Sequence, residues 1–493
     1  MSNRQSEALA NFRGLEGKNL IDLEPDLDRL TGGRLSPSFR ESLNDWGRKI
    51  LGPWDALARE ASRSEKLPRI EQEDRVSNPV ARVVLPLETQ TLRREVVEMG
   101  VWKTRNFTEK FLMTYLLSHM GESSLTCPLA CTDGLLRAMT DLASPEVKKK
   151  YLPLLTSAEF PVAGAQFITE KAGGSDVGAI EMVAKHQSAD QWKLTGEKWY
   201  CSAITDFFLL AARPEGAPEG TDGVAIFFVP RMLDGKPNGL AIKRLKNKLG
   251  TQSLPTAEVD FTDAVGFILG KPEDGFHHLM DYILNTSRVH NAAAALGLVH
   301  RAYLEAKNYA EQRICFGRPI VEFPMVKESL DALNKDHAAK KALYFSMLGQ
   351  IDKHGWVPAD REQRLWQRFL INLLKYRTAA CATVQVKEAI LILGANGIIE
   401  DFTILPRLFR DALIVETWEG THNVLALQIV RDGARFDFLG RLKKELAGVS
   451  QLSSVLTGVT PGRLSDPNWA AVNARHFIDT IGSLLEAQAL GKN

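Results

Sequence analysis

An α+β fold is what this sequence predicts: a helical N-terminal block, a compact β domain and a C-terminal four-helix bundle, in that order. Three observations predict it. Apolar residues fall at helical spacing up to about residue 160, as in Arg93-Arg94-Glu95-Val96-Val97-Glu98-Met99 and Phe111-Leu112-Met113-Thr114-Tyr115-Leu116-Leu117. Between about 161 and 270 the apolar period shortens to two within β-branched and aromatic runs. From about 271 to 440 helical spacing returns in four long stretches, the pattern of a bundle.

In the first block, residues 1–160, prolines at 53, 68, 79, 86, 128, 145 and 153 cut the helical pattern into pieces. Ser144-Pro145-Glu146 reads as a helix start, with serine as cap and proline at the first position. Residues before about 90 read as a helical extension with loops. In the β domain, 161–270, Val224, Ile226 and Phe228 alternate in a run that Pro230 ends, and Val259 and Phe261 alternate with polar neighbours. Ser188-Ala189-Asp190, Pro214-Glu215-Gly216 and Asp234-Gly235 are its turns. The bundle, 271–440, predicts helices over roughly 275–312, 322–353, 361–396 and 406–438. The third has a broad apolar face of Leu365, Trp366, Phe369, Leu370, Leu373 and Leu374. Residues 441–493 read as a shorter helical tail.

Composition narrows the function classes. The 493 residues carry a net charge of +1, so nothing global points to nucleic acid or anionic lipid. Five scattered cysteines (Cys127, Cys131, Cys201, Cys315, Cys381) read as thiols of a reducing compartment. Cys127 and Cys131 lack a second ligand pair, so no metal site is expected there. The start, Met1-Ser2-Asn3-Arg4-Gln5-Ser6-Glu7, shows no signal-peptide core, and no continuous run of about 18 apolar residues predicts a membrane span. The expected location is the cytoplasm.

The segment Val415-Glu416-Thr417-Trp418-Glu419-Gly420-Thr421-His422-Asn423 says most about chemistry. Glu419 precedes a glycine that allows a sharp turn. Thr421 suits the N-cap of a following helix, patterned by Val424, Leu425, Leu427 and Val430. A glutamate among apolar residues has its pKa raised towards that of a general base for a carbon-bound proton. A solvated glutamate at a helix start accounts for the same residues.

Four further clusters are each weak alone. Gln166-Phe167-Ile168-Thr169-Glu170-Lys171-Ala172-Gly173-Gly174-Ser175-Asp176 is a polar loop whose N–H groups and hydroxyls suit a planar heterocycle or an anion, or an ordinary turn. It lacks the Gly-Lys-Ser/Thr of a phosphate-binding loop. Gly196-Glu197-Lys198-Trp199-Tyr200-Cys201-Ser202 sets aromatics beside hydroxyls, as a ring-stacking site or a buried strand would. Glu311-Gln312-Arg313-Ile314-Cys315-Phe316-Gly317-Arg318-Pro319 ends a helix with an arginine suited to pyrophosphate or to solvent. Leu393-Gly394-Ala395-Asn396-Gly397 is a small-residue turn or a plain helix cap.

In order and spacing, these clusters resemble the acyl-CoA dehydrogenase flavoprotein family over about residues 90–432. The resemblance implies an N-terminal α domain, a middle β-barrel-like domain and a C-terminal four-helix bundle. It implies FAD, an acyl-CoA substrate, and α,β-desaturation in which a glutamate removes the α-proton while the β-hydride moves to flavin N5. Glu419 matches that base. Its own N–H matches one donor to the thioester oxygen, an oxyanion-hole arrangement. The family's alternative base position falls on Ser287, which cannot serve. Phe167, Ile168, Thr169, Gly174 and Ser175 match the flavin loop. Tyr200 and Ser202 stand where the family usually has Trp and Thr over the isoalloxazine. Arg313 and Phe316 match residues that reach a neighbouring subunit's FAD, which implies a homo-oligomer, dimer or tetramer. Thr421 and Asn423 match the cofactor side of the base motif, and Arg288 and Ser175 the substrate side. An electron-transfer flavoprotein is the implied electron acceptor.

Leu391, Pro324 and Asn285 depart from family residues that contact FAD or CoA. Gly-Glu-Lys-Trp-Tyr-Cys-Ser, Arg244-Leu245-Lys246-Asn247-Lys248-Leu249-Gly250, Pro324 and Trp-Glu-Gly-Thr-His-Asn are similar to the adaptive-response, AidB-like branch. That branch implies an alternative: an alkylation-stress flavoprotein with nucleic-acid binding and low turnover. Residues 431–493 hold eight Lys/Arg and six Asp/Glu, a balance of +2, which is thin for a phosphate-binding surface. Acyl-CoA or nitroalkane oxidase chemistry fits less well, because the former enzymes are longer and the latter use Asp as base.

Overall fold

The computed structural model describes residues 6, 7 and 9–492. The opening residues 1–5, where no signal-peptide core was read, lie outside them. The principal helices are α1 (Pro37–Ile50), α2 (Leu87–Glu98), α3 (Phe107–Leu117), α4 (Thr126–Leu142), α5 (Pro145–Leu155), α6 (Asn285–Gln312), α7 (Pro324–His354), α8 (Arg361–Leu393), α9 (Leu405–Thr417), α10 (His422–Gly433) and α11 (Pro467–Lys492). Ser144 caps α5 as its sequence predicts, accepting a hydrogen bond from the Val147 N–H.

The chain folds as two compact units. One comprises 56–103 and 122–287, the other 1–55, 104–121 and 288–493. This division cuts across the expected 1–160 block, whose residues fall in both.

In the first unit a seven-stranded sheet forms from β3 (Gly164–Phe167), β4 (Val183–Ser188), β5 (Gln191–Ser202), β6 (Phe207–Pro214), β7 (Ala225–Pro230), β8 (Leu240–Leu245) and β9 (Thr256–Ile268). Strands β9, β5, β4, β6 and β7 pair in a closed ring, since β7 bonds both β6 and β9. Closure explains the long apolar runs of β6 and β7: Phe208, Leu209, Leu210, Ile226, Phe227 and Phe228 are all buried. A hairpin of β1 (Arg69–Glu73) and β2 (Pro79–Val84) lies outside the ring. It corrects the helical reading of the first block. Ile70, Val80, Val83 and Val84 favour a strand, and Asn78-Pro79 cannot continue a helix.

In the other unit, α6, α8 and α9 share a core rich in alanine: Ala295, Ala302, Ala306 and Ala310 meet Ala379, Ala382, Ala389 and Ala412. Small side chains let these helices approach closely. By length and composition α8 and the turn after it could cross a membrane, with a mean hydropathy of 1.3 in the most apolar window. Here α8 packs against α7, α9 and α10. The expected helix over 406–438 is two helices, broken at Trp418–Thr421. The tail is longer than its sequence suggests. α11 runs 26 residues along α7 and α10, and Arg377 of α8 ion-pairs with its Glu486 at 2.8 Å and Asp479 at 3.1 Å.

A buried polar network ties the N-terminal segment into this unit. Glu24 accepts hydrogen bonds from the Tyr115 hydroxyl and from Lys341 Nζ (2.8 Å), and lies 2.7 Å from His300 Nδ1. His119 Nε2 is 3.0 Å from the same His300 nitrogen. Three ligand-type atoms of Glu24, His119 and His300 therefore lie within 4.8 Å of one another, each already engaged within the network. Burial pushes His119 down to about 3. Burial also works to raise the Glu24 carboxyl, but His300 and Lys341 hold it well below its ordinary value.

Both depressed pKa values have the same linkage sign. The unfolded chain binds these protons more tightly, so acidification favours unfolding. Stability is therefore expected to fall by about 1.4 kcal/mol per pH unit from His119 as pH drops below about 6.5, with a further loss from Glu24 below about 4.5. Urea unfolding at pH 7, 6 and 5 checks this. A constant unfolding midpoint across those values would contradict it.

Candidate active site

The break between α9 and α10 is a strained turn. Glu419 has φ +56° and Gly420 φ +107°. A positive φ is uncommon in a non-glycine residue and costs on the order of 1–3 kcal/mol. A Cβ at Gly420 would lie 3.3 Å from Leu425 Cδ2, in a backbone conformation that side chains disfavour. Gly420 is therefore favoured chiefly by the backbone conformation.

The carbonyl side of this turn is held by buried side chains. Asn291 Nδ2 of α6 donates to Val415 O at 3.1 Å. Lys375 Nζ of α8 donates to Glu416 O at 3.0 Å and to Gly420 O at 2.8 Å. Arg288 Nε of α6 donates to Glu419 O at 3.0 Å, while its Nη1 donates to Asn372 Oδ1 of α8 at 2.7 Å. The turn's opposite side is free. Among the described residues the Glu419 N–H and carboxylate take part in no hydrogen bond.

Electrostatics around Glu419 oppose one another. Burial raises its carboxyl pKa, and Arg288 and Lys375 pull it back, with a net upward shift. Burial, and the neighbouring Arg288, push Lys375 down to about 7. Arg288 falls to about 10, chiefly by burial. A half-buried carboxylate with a raised pKa beside two cations is a proton acceptor for a weak carbon acid.

Other predicted residues stand as follows. Thr421 occupies the N-cap of α10 in extended geometry, but its side chain makes no capping bond. Thr421 and Asn423 are exposed. Phe316 tops a two-residue-strand hairpin, with φ +49° and 93% exposure, and the Arg313 guanidinium nearby has no partner among the described residues.

In the sheet-bearing unit, the flavin-loop candidates gather at the ends of β3 and β5. Phe167 ends β3 and is fully buried. Thr169 O accepts from the Trp199 N–H at 2.9 Å, which docks the loop of Ile168, Thr169, Gly174 and Ser175 onto β5. The Thr169 and Ser175 hydroxyls bond to nothing among the described residues, and a Cβ at Gly174 would touch only Thr169 Cγ2, at 3.5 Å. Tyr200 is 53% exposed on β5, and Ser202 Oγ pairs with Thr256 Oγ1 at 2.9 Å. An open ledge with free hydroxyls and an exposed ring fits a planar, hydrogen-bonding cofactor. Ser287 Oγ donates to Gln166 Oε1 at 3.1 Å, so it is already engaged.

Comparison with known proteins fits this geometry. The acyl-CoA dehydrogenase middle-domain family model matches residues 165–264, and the C-terminal-domain model matches 273–433. Acyl-CoA dehydrogenase family member 11 of Caenorhabditis elegans is 30% identical over 433 residues, covering 83% of this chain and 69% of that protein. The chain belongs to the acyl-CoA dehydrogenase family. The family is one of FAD flavoproteins and its members are oxidoreductases. The putative acyl-CoA dehydrogenase AidB of Escherichia coli is 32% identical over 266 residues, 54% of this chain but only 47% of AidB. The solved structure of Caenorhabditis elegans ACDH-11 in complex with C11-CoA superposes with a TM-score of 0.83 at 26% identity, over 97% of this chain and 88% of that one.

Sequence reasoning missed Lys375, Asn372 and Asn291. The available signal was a polar residue inside an apolar run, as in Ile371-Asn372-Leu373-Leu374-Lys375. Gly420→Ala is expected to cost about 1–3 kcal/mol of stability, read as a lower urea midpoint with an unchanged slope. A wild-type midpoint would show that the turn does not need glycine.

Proposed function

We propose that the protein is an FAD-dependent acyl-CoA dehydrogenase with Glu419 as the α-proton acceptor. The observation that carries this is the turn itself: a carboxylate and its own N–H, both unpartnered among the described residues, project from a turn whose Val415, Glu416, Glu419 and Gly420 carbonyls are tied down. In this reading the Glu419 N–H donates to the thioester oxygen as negative charge builds there. The carboxylate then takes the acidified α-proton. Thr169, Ser175, Tyr200 and Ser202 bind and orient the isoalloxazine, with Phe167, Ile168 and Gly174 shaping the loop. Thr421, Asn423, Arg313 and Phe316 complete the FAD contacts. FAD, when bound, supplies the acceptor for the β-hydride. Arg288 and Ser175 contribute to the substrate side.

Saturated medium- and long-chain acyl-CoAs are the first substrates to examine, since ACDH-11 is solved with C11-CoA. The acceptor in this reading is an electron-transfer flavoprotein. The setting is cytoplasmic, in keeping with five free cysteines. Arg313 beside the protruding Phe316 supports a homo-oligomer in which each copy reaches its neighbour's flavin. Light scattering should then give at least a dimer, and a monomer that retains FAD would contradict it.

The test of function is an anaerobic titration of the FAD-loaded protein with a panel of acyl-CoAs. Flavin bleaching by some members is expected, and Glu419→Gln should slow it by at least about 10²-fold. No bleaching by any member would favour the stress-response reading that the AidB identity supports. Unchanged bleaching in Glu419→Gln would remove Glu419 as the base.

A further inference from the structure

Lysine on a buried bundle helix needs a reason, and Lys375 is fully buried on α8. Its ammonium spans the catalytic turn, bonding a carbonyl on each side of Glu419: Glu416 O at 3.0 Å and Gly420 O at 2.8 Å. Arg288 takes the carbonyl between them, and Asn291 the one before them. A buried carbonyl left without a donor costs about 1–3 kcal/mol. A turn with two consecutive residues at positive φ has a backbone cost of its own. The three side chains offset both.

Resting on the reading of Glu419 as base, we propose that Lys375 is a positioning residue that, with Arg288 and Asn291, clamps the carbonyl face of the 415–420 turn and so keeps the Glu419 carboxylate and N–H aimed together at the substrate. Peptide carbonyl and N–H lie on opposite sides of their bond. The held carbonyls fix the peptide planes before and after the Trp418–Glu419 peptide, so the Glu419 N–H is kept in place from both flanks. Lys375 also acts through charge. The charged and titratable groups around it are Arg288 on α6, Glu416 on α9, Glu419 in the turn and His422 on α10, while Arg368 on α8 and Asp432 on α10 act on Arg288. Below about pH 7 Lys375 is an ammonium and favours the ionised Glu419. Removing it takes away one of two nearby cations.

The test uses the FAD-loaded Lys375→Met protein. Three changes are expected. Flavin reduction at saturating acyl-CoA slows by tenfold or more, while the acyl-CoA dissociation constant moves less than about twofold. The acid limb of the reduction-rate profile shifts up by about one pH unit. Backbone amides of residues 414–423 exchange hydrogen about tenfold faster, with or without FAD. Should Lys375→Met fail to fold, Lys375→Gln carries the same test, and Lys375→Arg should keep the wild-type acid limb. An unmoved acid limb together with unchanged exchange in 414–423 would overturn the proposal. Failure of the base assignment itself is read separately, from flavin reduction that survives in Glu419→Gln.

Discussion

Carbonyl oxygens at the end of α9 have no helical partner, because the helix must stop there for Glu419 to leave its axis. On a surface, water would take them up. Here they are buried or half-buried, so Asn291, Arg288 and Lys375 reach in from α6 and α8. Each of these side chains carries its own desolvation cost, visible as the fall of Lys375 to about 7 and of Arg288 to about 10. The arrangement persists because donor and acceptor satisfy one another; removal of any one partner strands a buried polar group.

That dependence extends outward through the helices. Donors on α6 and α8 meet the turn only if both helices keep their position to a few tenths of an ångström. The alanine-lined core of α6, α8 and α9 supplies that rigidity by close packing, which leaves little room for a helix to slide. On the other side of α6, His300 and Arg301 hold the N-terminal segment, through Glu24 and Asp55. On α8, Arg377 anchors α11. Both terminal segments thus brace the helices that carry the clamp.

Local pattern made much of this legible. The period of two in the middle of the chain and the helical stretches after it predict a β domain and the bundle, because burial imposes those periods directly. Glu419 stood out for its glycine and its apolar flanks. What stayed hidden depends on contacts between distant residues. Glu24, His119, His300 and Lys341 are spread over more than half the sequence, and each alone is an ordinary polar residue. The break at Trp418–Thr421 is signalled by Gly420 and Thr421, but the apolar spacing of α9 and α10 runs in phase across it and suggests one helix over 406–438. The prolines hide the β1–β2 hairpin, whereas α11 is legible as a helical tail and only its length is not.

Proton exchange at the substrate's α-carbon tests the central claim most directly. The FAD-loaded protein, incubated anaerobically in D2O with a saturated acyl-CoA, should place deuterium at the α-position, and Glu419→Gln should abolish that exchange while still binding the thioester. Deuterium incorporation that persists without the Glu419 carboxylate, or none in the wild-type protein with a thioester that it binds, would contradict the account.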